Sequence, residues 1–194
     1  MTRDLKPGDW RGYRREAFPD ECWRAEGETL IARPSKAPVD LVSRERFGDF
    51  TLAFEWCLPA GGNSGVLYRV TEEPDWSWQS GPEMQLLDDH GHPDGADPRK
   101  SCGALYELMA PEPRLSPAPG VFHTARVVVR GSYVEHWLQG IRVLECDLEG
   151  RGLRALIEAS KFAEFPLFAR AAEGHIVLQH HGTAAAFRHL RIEI

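Results

Sequence analysis

Acidic, imidazole and amide side chains are concentrated in one short stretch of this chain, residues 81–94. Glu83 and Gln85 lie two residues apart in an otherwise apolar run, so a β-strand there would place both on one face of a sheet. One extra residue at 86–87 would act as a β-bulge and turn Asp88 onto the same face. The stretch therefore predicts a polar row on a sheet, with carboxyl groups that can carry protons.

This polar row has two interpretations. A polar edge strand that leads into an acidic, solvated loop would need no function. The spacing of the row also resembles the Glu-x-Asp-x-x-Glu strand of jelly-roll glycoside hydrolases, in which two carboxylates flank a glycosidic bond. Here the middle group is Gln85, whose amide does not carry a transferable proton.

Size and charge limit the classes of function. The chain has 194 residues and a formal net charge of -6, with a sequence pI of about 5.8. No basic run is long enough to follow a phosphate backbone, so we expect no nucleic-acid partner. No stretch reaches the ~20 apolar residues of a membrane span, and the charged amino terminus lacks the apolar core of a signal peptide. We expect no membrane partner, a small-molecule substrate and a cytoplasmic location, although a trimmed secreted form would look the same.

Cysteine placement favours free thiols. The four cysteines are scattered without a Cys-x-x-Cys pair, which argues against a structural zinc site. They are Cys22, Cys57, Cys102 and Cys146. We predict that all four are reduced.

The elements that must position the polar row are short strands. Residues 1–28 are polar with spaced aromatic residues, which predicts an irregular strap anchored by Trp10, Tyr13, Phe18 and Trp23. Only 150–160 has helical spacing. Strand candidates separated by Gly, Pro and Asp follow the strap, at 29–32, 50–58, 64–70, 83–88, 103–109, 122–130, 133–139, 141–147, 174–180 and 186–194.

Strand order and turns predict the fold class. Residues 133–147 form a predicted hairpin whose turn is Gln139-Gly140, since Gly supplies the positive φ of a tight turn. About ten short strands without βαβ alternation indicate an all-β fold, an antiparallel β-sandwich or jelly roll. We predict one domain over 1–194, and the oligomeric state is not predicted.

Several motifs together resemble one known family. They are Gly61 to Arg69, Glu83 to Asp94, Gly103 to Pro111, Thr124 to Gly140, and Gly174 to Gly182 followed by Phe187-Arg188. In order and spacing, from about Leu30 to the end, the chain resembles the 3-keto-disaccharide hydrolase family, which has a concanavalin A-like jelly roll. The chain departs from the usual family sequence at His180, where members carry Asp, and at Gln139, where they carry Asn.

The resemblance implies cleavage of glycosides already oxidised to a ketone at sugar carbon 3. The ketone acidifies the hydrogen on carbon 2, so a base removes it, the bond at carbon 1 breaks by elimination, and water then adds back. Such chemistry needs a base near carbon 2, donors for the developing oxyanion and an acid for the leaving oxygen.

Candidate residues follow from the motifs. Glu83, Asp88 and His92 are the candidate catalytic residues, and Glu83 or His92 is the leading base. The candidate substrate-binding residues are Arg69, Gln85, Tyr106, His136, Lys161 and His181.

Most candidates also have an ordinary structural interpretation. His92 could make a turn hydrogen bond within its loop, and Arg69 could cover core aromatic residues with its aliphatic stem. Tyr106 could be a core ring and Lys161 a solvated side chain. His136 alternates with apolar residues in the hairpin, as a core histidine would.

A divalent metal ion is a separate option, because such an ion stabilises an enediolate. Oxygen and nitrogen donors are close in sequence at Asp88, Asp89, His90, His92 and Asp94, and the fold could add His180-His181. Their spacing matches no specific site, so the sequence leaves the metal open.

Two other functions compete with 3-keto-glycoside cleavage. The same scaffold serves carbohydrate-binding modules that catalyse nothing, because a fold does not dictate a function. An ordinary retaining glycosidase would need two carboxylates ~5–5.5 Å apart. All three hypotheses share a carbohydrate ligand.

Overall fold

A computed structural model describes residues 1–194 as two antiparallel β-sheets with one short α-helix, α1 (Arg151–Glu158). Single-turn 3-10 helices occupy Pro7–Asp9, Ser77–Gln79, Pro93–Ala96, Pro98–Lys100 and Lys161–Glu164. The strands are β1 (Thr2–Asp4), β2 (Trp10–Gly12), β3 (Trp23–Glu26), β4 (Thr29–Ala32), β5 (Leu41–Phe47), β6 (Phe50–Cys57), β7 (Asn63–Val70), β8 (Glu83–Leu87), β9 (His123–Arg130), β10 (Tyr133–Leu138), β11 (Ile141–Asp147), β12 (Gly174–Leu178) and β13 (Ala185–Glu193).

The two sheets differ in size. The larger has eight strands in the order β11-β10-β9-β6-β13-β4-β3, with β1 also paired to β13. The smaller has five strands in the order β2-β5-β12-β7-β8. All neighbouring strands are antiparallel. The predicted all-β antiparallel β-sandwich is confirmed, and only 13% of the residues are helical.

The main core lies between the sheets and follows from strand alternation. In β6, Phe50, Leu52, Phe54 and Trp56 are buried, whereas the intervening side chains are only half-buried. Their period of two sends one apolar row inward from a strand whose other face meets solvent. Burial of these large side chains contributes roughly 1.5–3 kcal/mol each before the entropy of ordering them is counted.

The outer face of the five-stranded sheet is also covered. In β8, Met84 and Leu86 point into the main core, so Glu83 and Gln85 point to the outer face. A second apolar cluster covers part of that face, formed by Tyr13, Val42, Leu67, Val70 and Val177. Tyr13 belongs to the amino-terminal strap, so the strap closes over the sheet beside the polar row.

Several sequence predictions about the elements are confirmed. The hairpin is present as β10 and β11, and its turn residues have positive φ, 51° at Gln139 and 79° at Gly140. The helix is α1. All four cysteines are free. No helix has the length and apolar character needed to cross a membrane.

Other predictions about the elements were wrong. The strap is not irregular, because it contains β1, β2 and β3, although its aromatic anchors Trp10 and Trp23 are buried as expected. Strand β5 was missed because its middle residues are polar. The segment 103–109 forms only isolated bridges at Leu105, since positive φ angles at Gly103 and Glu107 turn the chain.

Candidate active site

A cavity of about 680 Å³ opens on the outer face of the five-stranded sheet. This volume lies within the roughly 300–1,000 Å³ typical of small-molecule sites. The lining comes from β7, β8 and the segments around them: residues 13–15, 38–40, 75, 76, 78, 161, 162 and 179–181, together with Asn63, Glu83, Gln85 and Tyr106.

Glu83 is the carboxyl group at the floor of this cavity. Its side chain is buried, and one oxygen accepts a hydrogen bond from Gln179 Nε2 at 3.3 Å. Burial raises the pKa of Glu83 to about 8, the charge of Asp40 adds to the rise, and the positive charge of Lys161 opposes it. Glu83 is therefore mostly protonated at neutral pH and becomes an unusually basic carboxylate when it ionises.

Gly65 makes room for the Glu83 carboxyl group. It lies on β7 opposite Gln85, two residues before Leu67, which is opposite Glu83. A Cβ atom at residue 65 would overlap the Glu83 carboxyl oxygen and approach Cδ at 2.8 Å and Cγ at 2.9 Å. Any larger residue at 65 must move the carboxyl group, so Gly65 determines where Glu83 lies.

Three amide oxygens in the cavity lining lack a hydrogen-bond partner. They are Asn63 Oδ1, Gln85 Oε1 and Gln179 Oε1, all shielded from solvent. Leaving a buried polar atom unpaired costs about 1–3 kcal/mol. A ligand rich in hydroxyl donors would satisfy these oxygens, as a sugar does.

Asp40 supplies a second carboxyl group in the cavity wall. It precedes β5, and its oxygens accept hydrogen bonds from Ser77 Oγ at 2.6 Å and from the His180 amide at 2.7 Å. Burial raises the pKa of Asp40 above its usual value. The cavity therefore contains two proton carriers with perturbed pKa values, a frequent property of active sites.

Lys161 provides the cation on the facing wall. Its Nζ lies 2.8 Å from Glu107 Oε2 and 4.9 Å from the centre of the Tyr106 ring. Burial, followed by the nearby carboxylates, raises the pKa of Tyr106, which keeps its hydroxyl protonated. Both groups are donors and can bind sugar or enolate oxygens.

The structure brings together five of the nine predicted site residues. Those that line the cavity are Glu83, Gln85, Tyr106, Lys161 and His181. The other four lie elsewhere: Asp88, His92, Arg69 and His136.

The predicted bulge that would bring Asp88 to the site is wrong. Strands β7 and β8 pair without a register shift, so Asp88 falls on the opposite face from Glu83. Its carboxylate instead accepts hydrogen bonds from the Gly61 amide at 2.7 Å and the His90 amide at 3.3 Å. His92 Nδ1 accepts from the Asp94 amide at 3.2 Å, which is the turn hydrogen bond of the alternative interpretation.

Arg69 and His136 make structural contacts. Arg69 is buried and reaches the Gly48 carbonyl and the Asp49 carboxylate, both at 3.4 Å. His136 is fully buried; it donates to the Gly103 carbonyl at 3.0 Å, so its other nitrogen accepts from the Tyr68 hydroxyl at 3.2 Å. Burial lowers the pKa of His136 to about 4, so the ring is neutral.

The donors proposed for a metal do not converge. No group of three or more His, Cys, Asp or Glu side chains is placed to share an ion. Asp89 is engaged by the Cys102 amide at 2.8 Å and by Arg114, and His90 is exposed. The sequence left the metal open, and these contacts assign no set of ligands to one.

The polar lining residues that the sequence did not identify include Asp40, Asn63 and Gln179. Asn63 and Gln179 lie inside the family motifs, and an amide side chain within each motif was the available signal. Asp40 had no such signal, because β5 was not predicted. His180, where the family usually has Asp, donates to the Arg33 carbonyl at 3.0 Å and stacks edge-on against Trp23.

Comparisons with known proteins agree with this architecture. A 3-keto-disaccharide hydrolase from Bacteroides thetaiotaomicron is 29% identical over 95% of this chain and 74% of its own. A solved structure assigned as a glycosyl hydrolase from Parabacteroides distasonis has a TM-score of 0.87 at 24% identity, covering 97% of this chain and 89% of that one. The carbohydrate-binding module CBM66 from Bacillus subtilis has a TM-score of 0.59 at 13% identity, covering 96% of each chain.

The two solved structures share the jelly-roll fold with this chain. The family match, in addition, shows which family the chain belongs to. The model of the 3-keto-alpha-glucoside-1,2-lyase-like domain matches residues 3–193, nearly the whole chain. This match includes every strand that contributes to the cavity. The chain therefore belongs to the family of 3-keto-alpha-glucoside-1,2-lyase-like domains.

Proposed function

We propose that this protein cleaves glycosides that carry a ketone at sugar carbon 3, and that Glu83 removes the proton from carbon 2. Its family and its Bacteroides relative make it a glycoside-cleaving enzyme of the carbohydrate hydrolase type. The observation that carries the proposal is the buried Glu83 carboxyl group, with its raised pKa, in a cavity whose amide oxygens lack partners.

The proposed reaction begins with elimination. Ionised Glu83 takes the proton from carbon 2, and the electrons of that bond move toward the carbon-3 oxygen to form an enolate. The enolate then expels the leaving group: a double bond forms between carbons 1 and 2, the bond from carbon 1 to oxygen breaks, and the leaving oxygen gains a proton. Lys161 and Tyr106 supply the positive charge and the hydroxyl donor for the enolate.

Hydration completes the proposed reaction. Water adds its hydroxyl group to carbon 1 and gives its other proton to the group that protonated the leaving oxygen, and carbon 2 regains a proton from Glu83. The products are the free 3-keto sugar and the alcohol, so the net change is hydrolysis without oxidation or reduction. Asp40 is the second proton carrier in the wall and, when protonated, is the candidate donor to the leaving oxygen.

Paired substrates test this proposal directly. Purified protein is incubated with a glucoside and with its 3-keto counterpart, each with deuterium at carbon 2. We expect rapid cleavage of the keto-glucoside only, a slower rate with deuterium, and loss of the label to solvent. Equal rates on both substrates, or full retention of the label together with equal rates for labelled and unlabelled keto-glucoside, would indicate an ordinary glycosidase.

A Glu83→Gln variant assigns the base. We expect kcat on the keto-glucoside to fall at least ~10²-fold, the low end for general-base catalysis, with little change in binding. The matched control is Glu28→Gln, because Glu28 is exposed and distant from the cavity lining. Saturable sugar binding without turnover by the wild-type protein would point to a binding module instead.

A further inference from the structure

We infer that Trp76 is a stacking platform for the leaving group of the glycoside, forming an outer subsite that takes an uncharged ring. This inference rests on the proposed function, because it divides the same cavity into a sugar end and a leaving-group end. Its supporting observations are the exposure of Trp76, the contacts that hold its loop, and the charges around it.

Trp76 is unusually exposed for its size. It lines the cavity, yet its side chain is 58% exposed, and it is the only aromatic residue among the exposed large hydrophobic residues of the chain. An indole left in water beside a small-molecule site is typical of a binding surface. A flat ring lying against it would remove apolar area of both partners from water.

Neighbouring Trp78 also lines the cavity, but its ring is packed against other side chains. Its ring packs edge-on against Phe165 with centres 5.0 Å apart, and Lys161 Nζ lies 5.4 Å from its centre. Trp78 is therefore already covered by protein. Trp76 has no aromatic or cationic partner of this kind.

The loop that carries Trp76 is tied to the amino-terminal strap. The Tyr13 hydroxyl lies 3.1 Å from the Thr71 carbonyl oxygen and 2.9 Å from the Pro74 carbonyl oxygen, so its one proton is shared between them. Arg11 makes two hydrogen bonds to Glu72, at 2.8 and 2.6 Å. The rim is thus held in place before a ligand arrives, which lowers the entropic cost of binding.

Within the loop, the Trp76 amide donates to Gln79 Oε1 at 2.9 Å, which fixes the backbone at the platform itself. The unpartnered amide oxygens and Glu83 belong instead to the sheet itself, on β7 and β8 and at the end of β12. Hydroxyl groups are therefore recognised at the floor, and an apolar ring face is recognised at the rim.

Charge at the rim is already neutralised. Arg14 pairs with Asp75 at 2.7 Å, and Arg15 pairs with Glu21. An acidic leaving group would have to displace a carboxylate from one of these pairs. The outer subsite therefore favours an uncharged sugar or aryl ring over an anionic one.

Trp76→Ala tests the platform with 3-keto-glucosides that differ only in the leaving group: methyl, phenyl, glucosyl and 4-carboxyphenyl. For each substrate, kcat/KM of the variant is divided by that of the wild type, so intrinsic reactivity cancels. We expect a loss of about 10-fold for the phenyl and glucosyl compounds and less than about 2-fold for methyl, as one stacking contact predicts. Trp76→Phe should restore most of the loss.

Leu167→Ala is the control, because Leu167 is exposed but does not line the cavity. If Trp76→Ala loses kcat/KM equally on the methyl and ring compounds, or on neither, Trp76 is not a stacking platform. Tighter binding of the 4-carboxyphenyl than of the phenyl compound by the wild type would overturn its preference for uncharged rings.

Failure of the proposed cleavage can be distinguished from failure of the Trp76 platform. If the wild-type protein cleaves no keto-glucoside, calorimetry with methyl and phenyl glucosides still compares Trp76→Ala with the wild type. Weaker binding of the phenyl compound alone would support the platform, and equal binding of both by both proteins would overturn it.

Discussion

Glu83 owes its properties to its surroundings on the sheet. It is buried, receives one weak hydrogen bond from Gln179, and has Asp40 and Lys161 acting on its charge in opposite directions. Burial dominates, so the pKa rises to about 8. A carboxylate of that basicity is suited to removing a proton from carbon next to a ketone, which an ordinary carboxylate does less well.

The pH dependence of cleavage follows from this pKa. If ionised Glu83 is the base, kcat/KM on an uncharged 3-keto-glucoside should rise about tenfold per pH unit below about 8 and level off above it. The measurement is initial rate against pH, with the rate in buffer alone subtracted.

A second variant checks the assignment of that titration. Lys161 lowers the pKa of Glu83, so Lys161→Met should move the midpoint to higher pH. A rate that instead falls as the pH rises to 8 would mean that protonated Glu83 acts as an acid in the limiting step.

Gly65 is the residue whose small size the site requires. We expect Gly65→Ala to lower kcat/KM by about 10²-fold, because its Cβ overlaps the Glu83 carboxyl group and a shift of ~1 Å can cost that much. Kinetics on the keto-glucoside measure the effect, and circular dichroism checks the fold. Gly152→Ala is the matched control, since nothing lies within 4 Å of a Cβ there. Similar kinetics for both variants would contradict the steric role of Gly65.

At the scale of elements, the regular pairing of β7 with β8 decides which acids face the cavity. Glu83 and Gln85 share the outer face, and the chain then leaves the sheet at Asp88, which closes the turn toward Gly61. The acidic stretch thus divides into a part on the strand that lines the cavity and a structural part in the loop.

Asp88→Ala should therefore reduce stability and leave the chemistry nearly intact. Loss of the hydrogen bonds that its charged carboxylate accepts from the Gly61 and His90 amides should cost roughly 1–3 kcal/mol in the free energy of unfolding, measured with urea at pH 7. The kcat on the keto-glucoside should stay within about 3-fold, because Asp88 does not line the cavity.

The difference in the free energy of unfolding between Asp88→Ala and the wild type should become smaller in acid. Hydrogen bonding to Gly61 lowers the pKa of Asp88. The contribution of the Asp88 carboxylate to stability is therefore present above its pKa in the unfolded chain. It is lost as the pH falls through its pKa in the folded protein. Asp20→Ala, at an exposed carboxyl without a side-chain partner, is the control. A large loss of kcat in Asp88→Ala with unchanged stability would indicate that Asp88 is catalytic after all.

At the scale of the whole molecule, Glu83 makes stability depend on pH. Its pKa is about 8 in the folded protein and near 4.5 in the unfolded chain, so the folded state binds more protons between these values. The contribution of Glu83 to stability is therefore fully present below pH 4.5 and is lost as the pH rises toward 8. The protein therefore tolerates a cost at neutral pH, which supports a functional role for Glu83.

Glu83→Gln should remove the loss of stability that ionisation of Glu83 causes. We expect equal melting temperatures for variant and wild type at pH 4.5, and a higher one for the variant at pH 9, by the equivalent of a few kcal/mol. Thermal unfolding at pH 4.5, 7 and 9 measures the difference, with Glu28→Gln as the control. Parallel curves for Glu83→Gln and the wild type would show that the pKa of Glu83 is not raised.

The sequence by itself determined the fold class, the hairpin and the strand that carries Glu83 and Gln85. These features depend on local rules: a side-chain period of two, turn residues with positive φ, and apolar runs between Gly and Pro. Together with the family motifs, they also identified Tyr106, Lys161 and His181 as cavity residues.

Only the tertiary structure decided which polar groups meet. Asp40 reaches the cavity because β5 pairs between β2 and β12, a contact between residues far apart in sequence that no local pattern encodes. Asp88 is close to Glu83 in sequence but does not line the cavity. The pairing of β7 with β8 has no bulge, so the period of two places Asp88 on the opposite face. The raised pKa of Glu83 likewise depends on burial by the strap and loops that close over the sheet, which is a property of the assembled fold.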